Sequence, residues 1–294
     1  HADDHDRLFR LYLRRDCRDP ITGKAAMEFG NLPGLSIQDV MDQALSFLIV
    51  SLRFGAFLLA APFFGSRMVP LPIRIVFTAT LAVFLMGRVA LPSIDELTTF
   101  RVLPIIAQEL ALGLSAGLLL TILFSAVALA GEKVAATAGL SFAFQIDPNS
   151  GGQTPLISQI FTLFLTVVFL SLNGHIVAFA ILIESYTFAP IGAGINYLAL
   201  FQVGEVAGAT MFATAARLML PIVTVLFLVN ITIGIITRSA PTLNLFSFGF
   251  PITLIAVFLL LFLFAAPLGF AFQDLVVSAL GDLGDLLRGA ALGQ

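Results

Sequence analysis

A small set of ionisable side chains lies within otherwise apolar stretches: Arg53, Glu109, Glu132, Lys133, His175, Glu184, Glu205 and Arg217. Such groups in an oily setting could relay protons or line a polar conduit, or they could be held as ion pairs between helices or subunits. Their spacing favours pairing. No two of them form a spaced catalytic pair, and Glu132 and Lys133 are neighbours in sequence that point apart on a helix. Glu205 and Arg217 lie twelve positions apart, about 18 Å along a helix at ~1.5 Å per residue. They cannot meet within their own helix and need partners on neighbouring segments or neighbouring chains. Arg53, Glu109, Glu132, Glu184, Glu205 and Arg217 are therefore expected as buried charges. His175 follows Gly174 with no identifiable carboxylate partner and reads as a capping or packing residue before it reads as a proton carrier.

Other signatures of chemistry are missing. The sequence has no phosphate-binding Walker loop, dinucleotide fingerprint, His-Glu-x-x-His pair or Gly-x-Ser-x-Gly nucleophile elbow. Its single cysteine, Cys17, rules out an internal disulfide and a cysteine-based zinc site. No catalytic, cofactor-binding or metal-binding site is expected, and the protein is not expected to be an enzyme. The net charge of −3 is too small to imply nucleic acid or another strongly charged partner.

The elements that must position these charges are membrane helices. Of the 294 residues 59% are hydrophobic and only 11% charged, with a mean hydropathy of +1.01. Soluble domains carry roughly a quarter charged residues. Apolar runs near the ~20 residues of a membrane-crossing helix recur along the chain, and nothing alternates as the strands of an outer-membrane barrel would. The class is all-α: a polytopic membrane protein of kinked helices and helical hairpins. Trp is absent while Phe is abundant at 29, so the usual interfacial Trp belt is missing and apolar faces have reason to meet protein as often as lipid.

In chain order, residues 1–40 form an extension expected to be poorly ordered. Residues 1–26 are rich in charge, have no signal-peptide core, and either form a soluble extension or lie upstream of a start at Met27 or Met41. The first span is expected at 45–64 and contains Arg53. The second is expected at 71–91, opened by Pro70 and Pro72. The third segment, 103–144, exceeds a simple crossing, so it projects beyond the hydrocarbon or breaks within it. It carries Gly113 and Gly117, a small-residue stripe that permits close helix contact. Two short runs, 156–172 and 176–189, flank Asn173-Gly174-His175 and either cross once together or form a hairpin of half-helices. After a loop at 190–203 come two long arms, 205–238 and 250–270, and then an amphipathic, mildly acidic tail. With one net crossing for 156–189, Arg67, Arg74 and Arg238 all fall on the cytoplasmic side.

The longest break between apolar spans is Ser141 to Pro155. Asp147, Pro148, Asn149, Ser150, Gly151 and Gly152 are turn chemistry. Backbone of this kind cannot face lipid and must reach water, be buried in protein or line a cavity. With Phe142 and Phe144 at its base, the segment is either a plain connection or a gate.

Several stretches together resemble one family. They are Leu52-Arg-Phe-Gly-Ala-Phe-Leu-Leu-Ala-Ala-Pro-Phe-Phe-Gly-Ser-Arg-Met-Val-Pro70, Gly131-Glu132, Gly139-Leu-Ser-Phe142 with Asp147-Pro148, Asn173-Gly-His175, and Arg238-Ser-Ala-Pro-Thr-Leu-Asn-Leu-Phe-Ser-Phe-Gly-Phe-Pro251. In this order, over about residues 41–280, they resemble the FliR/SctT family of type III export-gate membrane proteins. The Phe248-Gly249-Phe250-Pro251 ending looks more flagellar than injectisome-like. The resemblance implies a flagellar export-gate subunit of the bacterial inner membrane, located in the flagellar basal body and present as a single copy. Its implied partners are FliP and FliQ, which complete the pore, together with FlhB, FlhA and the unfolded export substrates. It implies a FliP-like part at 41–203 with a plug at 141–155, a FliQ-like hairpin at 204–273 and a tail at 274–294. Plug residues would be Ser141, Phe142, Phe144, Gln145, Asp147, Pro148, Gly151 and Gly152. Helix or subunit packing would fall to Gly113, Gly117, Pro241, Asn244, Phe248, Gly249, Phe250 and Pro251, with Gly249 in a tight turn. The alternatives are an injectisome (SctT-like) gate subunit and a secondary transporter, which would show inverted repeats and a midplane substrate site.

Overall fold

In a computed structural model of the protein, the described residues are 31–32, 35–62, 64–65, 69–89, 102–140, 156–239 and 248–291. The chain divides into residues 1–42 and 43–294. In the first unit, β1 (Asn31–Leu32) pairs antiparallel with β2 (Leu35–Ser36), and helix α1 (Ile37–Ala60) begins. The rest of the described chain is helical: α2 (Leu71–Met86), α3 (Val102–Thr137), α4 (Leu156–Ser171), α5 (Gly174–Phe188), α6 (Tyr197–Ser239), α7 (Phe250–Leu263) and α8 (Ala265–Ala291).

Helix α3 is the spine of the second unit. Its 36 residues measure about 54 Å at ~1.5 Å rise, well beyond the ~30 Å hydrocarbon core, and it carries buried residues along its length from Ile105 to Ala135. Several helices lie along it, in two directions. Arg53 and Ala56 of α1 meet Gly113, and Ala60 meets Gly117, so α1 runs parallel to α3. Ser158 of α4 sits at Gly131, Phe169 packs edge-on against Phe124 with centroids 5.4 Å apart, and α5 brings Ser185 to the Arg53–Glu109 pair. The partners on α3 descend steadily, so α4 and α5, bent by 64°, traverse α3 once as a single broken span and not as a re-entrant hairpin.

The bend follows from its residues. Asn173 adopts a left-handed conformation, φ 55°, which asparagine tolerates better than most residues. A Cβ on Gly174 would lie 2.5 Å from the Phe169 ring, so a larger residue there would force that ring to shift.

Helix α8 follows the same course as α4 and α5. Phe272 packs on Phe161 and Phe164, and Arg288 reaches Glu184 at 3.4 Å. The helix supplies buried Leu275, Val276, Ala279, Leu283, Leu286 and Leu287. The tail expected from 274 onward is thus part of a packed helix that starts at Ala265. Phe264 breaks the expected second arm, which turns by 60° between α7 and α8. Pro267 explains the break: it sits in the first turn of α8, where its missing N–H costs nothing, and it could not have continued α7.

Other boundaries move too. Helix α6 starts at Tyr197, inside the expected loop, so the boundaries drawn at 203/204 and 273/274 both fall within helices. Helix α2 ends at Met86 after 16 residues, about 24 Å at ~1.5 Å rise, short for an upright crossing. Helices α1 (from Val40), α3 and α6 are each long and apolar enough to cross a membrane, and each bent pair could supply one more span.

Candidate functional site

Arg53 lies in the middle of α1, wholly buried, and so does Glu109 on α3. Arg53 Nε donates to Glu109 Oε2 at 2.9 Å, and Nη2 donates to Oε1 at 2.8 Å. Nη1 donates to Ser185 Oγ at 2.8 Å, and Nη2 also donates to the Ala189 carbonyl at 3.0 Å. Four of the five guanidinium N–H groups are therefore used. The Tyr186 ring stacks under the guanidinium at 4.0 Å, while its hydroxyl donates to the Val50 carbonyl at 3.1 Å. One cation thus ties α1, α3 and the end of α5 together. A forked, planar donor suits this task, because a lysine could not bond a carboxylate in two places and still reach two further acceptors. The arrangement is closed: both side chains are wholly buried, and both carboxylate oxygens are taken by the guanidinium.

Close helix approach makes this geometry possible. A Cβ on Gly113 would collide with the Arg53 carbonyl and lie 2.8 Å from Ala56 Cβ. At Gly117 it would lie 2.7 Å from Ala60 Cβ and 2.8 Å from the Phe57 carbonyl. Thr121 then donates to the Ala60 carbonyl at 2.5 Å. Next to the ion pair, Gln108 is 2% exposed. It donates to the Pro190 carbonyl at 3.0 Å and accepts from the Gly194 N–H at 3.1 Å. This pins the start of the 190–196 connection to α3.

The remaining charges lie elsewhere. Glu132, Glu205 and Arg217 are exposed on the chain by itself, and so is Glu184, which pairs with Arg288. Their expected burial is not found among the described residues. His175 Nδ1 is buried and has no hydrogen-bond partner among the described residues.

The plug residues Ser141, Phe142, Phe144, Gln145, Asp147, Pro148, Gly151 and Gly152, together with Pro241 and Asn244, lie outside the described residues. The two ends of 141–155 are described. Helix α3 closes at Gly139, φ 80°, with the Leu140 N–H returning to the Ala135 carbonyl at 3.1 Å. Asn230 of α6 donates to the Thr137 carbonyl at 3.0 Å. On the return, Ser158 Oγ donates to the Ala128 carbonyl at 2.9 Å, beside Gly131, where a Cβ would lie 2.6 Å from Ser158 Cα. The chain leaves and rejoins the bundle at the same end of α3.

Phe248 is about half exposed, and Phe250 and Pro251 open α7. Gly249 has φ −64° and ψ −50°, ordinary helical values, so the tight turn expected there is not what that glycine makes. Ser185, Tyr186, Gln108 and Asn230 were not anticipated as partners. The one available signal was polar side chains placed inside apolar runs.

Among the described residues no group of His, Cys, Asp and Glu could hold a metal ion.

Residues 44–279 match the family model described as bacterial export proteins, family 1. The flagellar biosynthetic protein FliR of Escherichia coli (strain K12) is 32% identical over 206 residues, which is 69% of this chain and 77% of that protein. FliR of Bacillus subtilis (strain 168) is 31% identical over 230 residues, 76% of this chain and 88% of its own. FliR of Aquifex aeolicus (strain VF5) is 29% identical over 224 residues, covering 76% and 86%.

Proposed function

We propose that this chain, which belongs to the bacterial export proteins of family 1, is a non-enzymatic subunit of the flagellar type III export gate. With FliP and FliQ it would form the pore through which unfolded flagellar proteins cross the inner membrane, within the basal body and next to FlhB and FlhA. The observation that carries the reading is the match over residues 44–279 to a family of export proteins.

The surface of the chain supports a life among partners. Helix α6 has 43 residues, about 64 Å at ~1.5 Å rise, yet its own chain covers little of it. Phe201 is 82% exposed, and on α7 Phe262 is 78% exposed. Part of an apolar hairpin longer than the bilayer is thick needs protein to cover it. Exposed Glu205 and Arg217 on the same helix fit protein neighbours better than lipid.

In this reading residues 41–203 take the FliP-like place and residues 204–273 the FliQ-like place. Residues 141–155 serve as the plug, supported by a turn-forming composition and by ends that both fasten to one end of α3. The plug blocks the pore at rest, its glycines let it move aside, and its aromatic base seals against ions. The flagellar names of the relatives favour this over an injectisome gate.

Co-purification provides the test. The tagged chain should bring down FliP and FliQ as one stable complex from detergent-solubilised membranes. Recovery of a functional chain free of both would defeat the gate assignment and leave a transporter as the better reading.

A further inference from the structure

Beside the α3 spine, between α6 and α8, the bundle is open. Leu118, Leu119 and Ile122 of α3, Phe201 and Glu205 of α6, and Leu286 of α8 border a cleft of about 330 Å³. Its wall is apolar except at two positions. Ser115 turns its hydroxyl back to the Leu112 carbonyl at 3.1 Å and is thereby satisfied. Glu205 is exposed and makes no hydrogen bond or ion pair with any described residue. Among the described residues, Arg288, two residues beyond Leu286, is engaged with Glu184, and Arg217 lies about 18 Å away along the same helix. The floor next to Glu205 is also bare, since a Cβ on Gly204 would meet nothing within 4 Å.

We propose that this cleft seats an apolar helix of a partner chain bearing one lysine or arginine, with its cation meeting the Glu205 carboxylate. The apolar wall supplies contact area, and the absent side chain at Gly204 lets a helix backbone come close. The carboxylate supplies the selectivity. An unpaired acid on an apolar helix is costly, and a cation brought by the occupant removes that cost. A lipid tail would fill the apolar wall but leave the acid unmatched, so charge complementarity selects a basic helix. This deepens the gate reading by giving the chemistry of one partner surface, and it rests on that reading only for the existence of partners.

The test uses the purified full chain in detergent micelles and a fluorescent synthetic helix of about 20 Leu and Ala residues, long enough to span, with Lys, Leu or Glu at its centre. The Lys-centred helix should bind about tenfold tighter than the other two, a difference expected of one ion pair or hydrogen bond in an apolar medium. Glu205→Gln should erase that preference, and Glu205→Lys should shift it to the Glu-centred helix. Equal binding of all three helices to the unaltered chain would overturn the proposal. So would a lysine preference that survives Glu205→Gln, or Phe201→Cys cross-linking to a second copy in preference to the helix. The synthetic helix is independent of FliP and FliQ, so this outcome and that of co-purification are read separately.

Discussion

Arg53 and Glu109 meet edge to edge, with two hydrogen bonds of 2.8 and 2.9 Å and neither side chain exposed. Fifty-six positions separate them in sequence, yet together they hold α1 against α3 at the point where α5 ends. A buried pair of this kind adds little net stability over a well-packed apolar substitute, because both ions lose their hydration. Its consequence is geometric: neither charge can be left without the other, so the crossing of the helices is fixed in one register.

Removing one partner should therefore be much worse than removing both. Glu109→Gln or Arg53→Met should each destabilise the purified chain by about 3–5 kcal/mol, the usual cost of stranding one buried charge. The double variant Arg53→Met/Glu109→Leu should recover much of that loss. Denaturant unfolding in detergent reads this out, and equal losses in the single and double variants would contradict the pairing.

Tyr186 offers a finer test of the same cluster. Tyr186→Phe keeps the ring under the Arg53 guanidinium and deletes the bond to the Val50 carbonyl. About 1 kcal/mol of stability should go, the typical net worth of one hydrogen bond. Tyr186→Leu should cost more, because the stacking on the cation goes as well.

Small-residue packing gives a third expectation. Gly113→Ala and Gly117→Ala push a methyl group into the backbone of α1 and should each cost about 1–3 kcal/mol, as overpacking does. Gly234→Ala, where a Cβ would meet nothing, should be neutral or gain up to ~1 kcal/mol from helix propensity. A flat response across all three sites would mean that α1 and α3 are not in this register.

Asn230 is the fourth. Asn230→Leu removes the donor to the Thr137 carbonyl and should loosen the last turn of α3. Faster amide exchange at residues 135–140, with α4 unaffected, is the expected signature. Unchanged protection there would show that the Gly139 turn closes the helix unaided.

Much of the architecture was legible from composition and punctuation. Pro72 correctly opened α2, and the excess length of the third segment correctly set it apart, because proline position and run length act locally. The break at Asn173-Gly174-His175 was visible as a polar interruption between two apolar runs, but not whether the two runs cross once or fold back. The partnership of Arg53 with Glu109 could not be read in the same way. Each stood out as a charge in an apolar run, but nothing in a single sequence says which helices become neighbours. Helix α8 was hidden for another reason. Its apolar stripe was visible as an amphipathic tail, but its junction with the preceding arm turns on Pro267, which reads equally well as a kink inside one helix. The exposed charges Glu132, Glu205 and Arg217 were expected to be buried on the premise that a charge in an apolar helix must be covered. That cover is not found among the described residues.

The most direct measurement is ion conductance of the purified export-gate complex in planar bilayers, with this chain either intact or lacking residues 145–154. The intact complex should stay closed. The deletion should carry a steady ion current while FliP and FliQ are recovered in unchanged proportion. A deletion complex as tight as the intact one, with its full set of subunits, would contradict the assignment of this segment as the plug of a shared pore.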